Sequence, residues 1–132
     1  MTVFIPGKLA NPQASEWKGS HWAKRARLAK SIREKTGAYI LATMGRRLDA
    51  APWAPKRVEF NAYVANPFDS DNLATACKPY RDALRDMKLI DDDRDSCGHQ
   101  FVYRQTVARG LDARRGLEIT VTLLEETPRP RP

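Results

Sequence analysis

The spacing of apolar residues changes along this chain, and each change predicts an element. Val3 to Ile5 form a short apolar run closed by Pro6-Gly7, which reads as a strand leading into a polar loop to about Gly19. Ser20 is then placed to cap a helix in which Trp22, Ala26, Ala29 and Ile32, with Leu28 beside them, recur at steps of three and four. Gly37 either ends or weakens that helix. Tyr39, Ile40, Leu41 and Met44 resume the pattern before Ala50, Ala51 and Pro52 interrupt it, so one helix and two both fit.

From Lys56 the period becomes two. Val58, Phe60, Ala62 and Val64 alternate with Glu59, Asn61, Tyr63 and Ala65, the pattern of a strand half buried against a core, and Asn66-Pro67 ends it. Leu73, Ala76, Cys77, Tyr80, Leu84 and Met87 then return at steps of three and four, which predicts an amphipathic helix. Period-two alternation comes back at Phe101 to Val107 and at Leu117 to Leu123. The polar link Arg109 to Gly116 between them reads as a hairpin connection. The expected order is strand, helix, strand, helix, hairpin: an α+β protein with a small mixed sheet covered by helices on one face. With 132 residues and no internal repeat, one domain over residues 1–126 is expected, followed by a disordered tail, TPRPRP, at 127–132.

Composition narrows the function classes. No apolar run approaches the ~18 residues of a membrane span, and MTVFIPGKLA lacks the pattern of a secretory leader, so a soluble, cytoplasmic protein is expected. Cys77 and Cys97 form neither a disulfide framework nor a zinc signature and read as free thiols. Net charge is +7, and it is unevenly spread. From Lys18 to Arg47 there are nine basic residues (Lys18, Lys24, Arg25, Arg27, Lys30, Arg33, Lys35, Arg46, Arg47) against Glu34 alone, a net +8. A basic face of that density suits a polyanion, because neutralising phosphates releases condensed counterions. A solvated basic helix is the plainer reading.

Candidate chemistry lies in two acidic spots within this basic chain. Asp69-Ser70-Asp71-Asn72 stands where the second strand hands over to the second helix. Helix capping needs one carboxylate there, and a second adds repulsion unless a cation lies between the pair. Asp91-Asp92-Asp93, with Asp95 beyond, occupies the following turn. Hard oxygen ligands of this kind suit Mg2+ or Mn2+, and two or three carboxylates completed by water and substrate phosphate suffice for phosphodiester hydrolysis. An EF-hand needs Gly at its sixth position and Glu at its twelfth. Counting from Asp69 gives Ala74 and Tyr80, and counting from Asp91 gives Ser96 and Val102. A zinc site would need Cys97, His99, Cys77 and His21 from scattered places. His99 alone reads as an ordinary surface or core residue, and no glycine-rich phosphate loop is present.

Taken in order, Asp69-Ser70-Asp71-Asn72-Leu73, Lys78-Pro79, Arg81-Asp82-Ala83-Leu84 and Ile90-Asp91-Asp92-Asp93 resemble the motif set of the RusA family over about residues 66 to 105. The resemblance implies a RusA-like fold and a homodimeric resolvase of four-way DNA junctions, a Mg2+-dependent endonuclease of DNA recombination and repair. It makes Asp69 and Asp71 metal ligands. Ungapped counting from Asp82 gives Asp93 as the third ligand, whereas aligning Ile90 gives Asp92, with Asp91 a lesser candidate. Lys78 takes the place of the family's lysine, which is needed for cleavage, but it follows Asp71 by seven residues where the short form of the motif has four. Lys18, Lys24, Arg25, Arg27 and Lys30, with Arg81 and Arg104, would hold DNA through its phosphates. A non-catalytic basic DNA-binding module and a metal nuclease of flaps or other branched DNA are the rival readings.

Overall fold

A computed structural model describes residues 1–10, 22–44, 52–91, 98–110 and 113–124. Its elements are β1 (Thr2–Pro6), α1 (Trp22–Met44), β2 (Lys56–Val64), α2 (Ser70–Asp86), β3 (Gln100–Val107) and β4 (Gly116–Leu123). The protein is a small α+β fold whose two helices accompany one four-stranded mixed sheet of order β1-β4-β2-β3. The TPRPRP tail, Ser20 and Lys18 lie outside the described residues.

The alternation in β2 is realised along its length. Val58, Phe60 and Ala62 are wholly buried, while Arg57, Glu59, Asn61 and Tyr63 face the open side. Val3 and Ile5 from β1 and Leu117, Ile119 and Val121 from β4 extend the same inner face. The helices cover it with Ile32 and Ile40 of α1 and with Leu73, Ala76, Cys77, Tyr80 and Leu84 of α2, in one continuous core. β2 and β3 run parallel, as a strand–helix–strand crossover requires, and α2 is that crossover.

Two expectations are corrected, the hairpin and the apolar line of α1. β3 and β4 are not a hairpin, because β2 lies between them, parallel to β3 and antiparallel to β4. The 108–115 link therefore passes over the carboxyl end of β2, held by Ala108 N–H donating to Val64 O at 2.8 Å. Period-two spacing identifies strands but not neighbours, and a central strand with an apolar inner face can accept partners on both edges. α1 is one helix through Gly37. A methyl on Gly37 would stand 3.4 Å from Met87 Sδ, an ordinary contact, so the helix tolerates glycine there without depending on it. α1 buries a narrow line of Ile32, Thr36 and Ile40 at steps of four, whereas Trp22, 70% exposed, and Ala26 lie off the core. α2 is likewise continuous through Pro79, which is buried inside it. The lost hydrogen bond is outweighed by the packing of that face.

Two ties fix α1 in place: Arg33 donates to both carboxylate oxygens of Asp86 at 2.9 and 2.8 Å, and Lys35 Nζ donates to Pro6 O at 2.9 Å. The Arg33 bond holds the Asp86 carboxyl below the ordinary carboxylate range.

Burial also governs the alkaline limit of the fold. It pushes the Cys77 thiol from 9.0 up to about 12, with Arg81 opposing, and the neighbouring Tyr80 hydroxyl from 10.0 up to about 12. An unfolded chain loses these protons first, so stability falls as pH rises through that window, by on the order of 4 kcal/mol for the thiol. Cys77→Ala should show a visibly shallower fall of the urea midpoint above pH 9 than wild type. Parallel falls in the two proteins would contradict this assignment.

Candidate metal and nucleic-acid site

At the carboxyl end of β2 the chain turns through residues 65–69 into α2. Asp69 is the N-cap residue by backbone, in an extended conformation (φ −62°, ψ 150°), and its carbonyl accepts the first helical bond from Leu73 N–H at 2.9 Å. Its carboxylate makes no capping bond, so the plainer role proposed for an aspartate here is not the one it takes. Asp71 lies in the first helical turn, and both residues are exposed. The turn that presents them is braced. Phe68 N–H donates to Gln105 Oε1 at 2.9 Å, Gln105 Nε2 donates to Phe68 O at 2.8 Å, and Arg109 Nε donates to Ala65 O at 2.9 Å. Two exposed carboxylates on a fixed backbone beside a helix N-terminus are an oxygen donor set that fits Mg2+ completed by water and phosphate.

The second acidic spot opens at the other end of the sheet. Asp91 N–H donates to Pro52 O at 3.1 Å, just before β2 begins, and Asp91 Oδ1 lies 2.9 Å from His99 Nε2, just before β3 begins. His99 Nδ1 accepts from Lys56 N–H at 3.2 Å, so the ring's proton sits on Nε2 and is donated to Asp91. His99 is thus a hydrogen-bonded core residue, 4% exposed. Lys56 is buried beside it, its Nζ donating to Ala54 O at 3.0 Å and to Pro52 O at 3.4 Å. Burial lowers the Lys56 pKa, and Asp91 opposes that shift.

The seventeen-residue helix α2 separates Asp69 from Asp91, a length of roughly 25 Å. Asp69 and Asp71 share the start of α2, and Asp91 lies at the other end of the sheet. Asp92 and Asp93 lie outside the described residues. Among the described residues no three His, Cys, Asp or Glu side chains are grouped to hold a metal ion.

Lys78 projects from α2 about 10.5 Å along the axis from Asp71, and its Nζ bonds Asp82 Oδ1 at 3.1 Å, one turn further from Asp71. Arg81 is a strut between α2 and β3: its Nη1 donates to Tyr103 OH at 2.7 Å and its guanidinium lies 3.8 Å over the Phe101 ring. Arg104 is on the opposite, open face of the sheet, 3.7 Å from Glu59, which also pairs with Arg57 at 3.3 Å. On α1, Lys24, Arg27 and Lys30 are exposed and Arg25 is half-buried, with Lys30 3.9 Å from Glu34. The basic stretch thus divides into a part that faces solvent and a part, Arg33 and Lys35, that fastens the helix.

Sequence reasoning missed the basic residues that strand pairing brings to the sheet end from which Asp69 and Asp71 leave. Arg114 lies 3.6 Å over the Phe4 ring and 5.7 Å from that of Tyr63, rings that meet edge to face at 6.0 Å. Lys8 and Arg115 line a cleft of about 320 Å³ with Leu9, Tyr63, Asn66 and Phe68. The available signal was the run Ala108-Arg109-Gly110-Leu111-Asp112-Ala113-Arg114-Arg115, whose arginines gain meaning only once that link is known to cross the end of β2.

No protein-family model matches this chain, and no curated protein is significantly similar to it. Among the described residues no helix is long and apolar enough to cross a membrane.

Proposed function

We propose that this protein is a Mg2+-dependent endodeoxyribonuclease of branched DNA, a RusA-type resolvase that cuts four-way junctions by paired nicks during recombination and repair in the cytoplasm. The carrying observation is the exposed, uncapped Asp69 carboxylate beside Asp71 on a braced turn, at the sheet end where Lys8, Arg109, Arg114 and Arg115 also gather. The order of the sequence motifs supports the same reading. Asp69 and Asp71 would hold Mg2+, or Mn2+ in its place, which when bound supplies a Lewis acid and an activated water for attack on phosphorus. The exposed bases of α1 would hold the DNA arms through phosphates.

The distance between the acidic spots bears on assembly. A two-fold axis perpendicular to β2 and passing beside it would set the carboxyl end of one protomer's β2 against the amino end of its partner's, so such a homodimer would offer the turn that opens at Asp91 in one copy to Asp69 and Asp71 in the other. Asp92 or Asp93 would then complete the site across the interface. Lys78, on the same helix as Asp71, would steady transition-state charge after exchanging its bond to Asp82 for one to the phosphate.

A labelled four-way junction, incubated beside linear duplex and flap substrates with Mg2+ or EDTA, tests the reading. Metal-dependent, paired nicks in the junction are expected. Preference for the flap points to another branched-DNA nuclease, and tight binding with no cutting in Mg2+ or Mn2+ points to a basic DNA-binding module.

A further inference from the structure

The cleft beside Asp69 has a composition that selects its occupant. Its cations are Lys8 and Arg115, its flat walls are Phe68 and Tyr63, and Asn66 adds a neutral hydrogen-bonding group. Among the described residues no carboxylate is paired with either cation and no acid lines the cleft. At about 320 Å³ it lies at the small end of ligand pockets, room for one nucleotide and not for a folded partner.

Its walls are fixed before any ligand arrives. Gly7, at φ +112°, donates its N–H to Arg115 O at 3.1 Å and so sets Lys8 beside Arg115. Arg115 Nε donates to Ala108 O at 3.2 Å, while the reciprocal Gln105 bonds fix Phe68. An arginine fork and a lysine on a rigid frame favour a phosphate, and adjacent aromatic rings favour a sugar and base. Phe68, which lines the cleft, immediately precedes Asp69, so the strand seated there would continue toward the start of α2.

We infer that this cleft seats one nucleotide of the strand being cut, its phosphate between Lys8 and Arg115 and its sugar and base against Phe68 and Tyr63. The inference rests on the nuclease reading and deepens it, because the cleft sets which phosphate reaches Asp69 and Asp71. Cutting of the junction at saturating protein in Mg2+, over a single turnover, should be at least about thirtyfold slower in Lys8→Gln/Arg115→Gln than in wild type.

Equal saturated rates for the double variant and wild type would overturn the inference. A wild type that cuts nothing defeats the nuclease reading, and the cleft is then judged by titrating labelled full-length protein with thymidine 5′-monophosphate in EDTA. Saturable NMR shifts centred on the Arg115 side chain, Phe68 and Tyr63, lost in the double variant, uphold the nucleotide site. Shifts elsewhere, or none, overturn it. The same titration of Lys8→Gln alone, an exposed position, guards against misfolding of the double variant.

Discussion

Asp71→Asn should cut a four-way junction on the order of a thousandfold more slowly than wild type while binding it at least as tightly in EDTA. Asparagine keeps the shape of the side chain and removes the charge that would offset a divalent cation. The same loss relieves repulsion against DNA phosphates, so binding and cutting should move apart. Asp71 also sits in the first turn of α2, where a carboxylate favours the helix by about 0.3–1 kcal/mol. If that were its whole role, the variant would show a slightly lower urea midpoint and unchanged cutting. Single-turnover rates and EDTA binding isotherms on the same preparations separate the two cases.

Gly116→Ala should lower stability by about 3 kcal/mol or more. Gly116 opens β4 at φ +150°, a conformation that residues with a Cβ rarely adopt, and it pairs with Pro6 on one side and Tyr63 on the other. An added methyl would press on the backbone carbonyl of Ile5 and on the Phe4 ring, neither of which can swing away without breaking β1–β4 pairing or the contacts of Phe4 with Tyr63 and Arg114. Because Arg115 precedes this glycine, the variant should also disturb the basic cleft. Urea unfolding reads the loss, and a midpoint within error of wild type would contradict the packing described.

The inner face of the sheet was readable from sequence because burial on one side imposes a period of two on any strand. Val58, Phe60 and Ala62 show it without interruption. α2 was readable for the same reason at helical spacing. Strand neighbours were not, since nothing in the alternation of Phe101–Val107 or Leu117–Leu123 distinguishes pairing with each other from pairing with β2. α1 misled in detail because Trp22 and Ala26 extend an apolar pattern beyond the part of the helix that meets the core. Thr36, a polar residue, completes the buried line instead.

At the site, local features were legible and distant ones were not. The aspartates at the strand exit could be placed beside a helix N-terminus from spacing alone. That Asp91 opens at the far end of β2 follows from the parallel β2–β3 crossover, and that Lys8 and Arg115 line one cleft follows from the hydrogen bond between Gly7 and Arg115, far apart in the chain. Buried Lys56 looked like the start of a strand, and its partners, carbonyls at Pro52 and Ala54 and the His99 ring below its N–H, belong to the tertiary structure.

Mixing two inactive variants shows whether two copies of the chain share a metal site. Asp71→Asn and Asp92→Asn/Asp93→Asn are each purified, shown not to cut the junction in Mg2+, then combined in equal amounts after brief unfolding and refolding together. In a heterodimer with shared sites, one site joins both altered parts and the other joins both wild-type parts. Restored cutting by single nicks is therefore expected, at about one quarter of the wild-type concentration of sites. A mixture that remains as inactive as its components, although the two copies demonstrably associate, would contradict a metal site completed by a second copy of this chain.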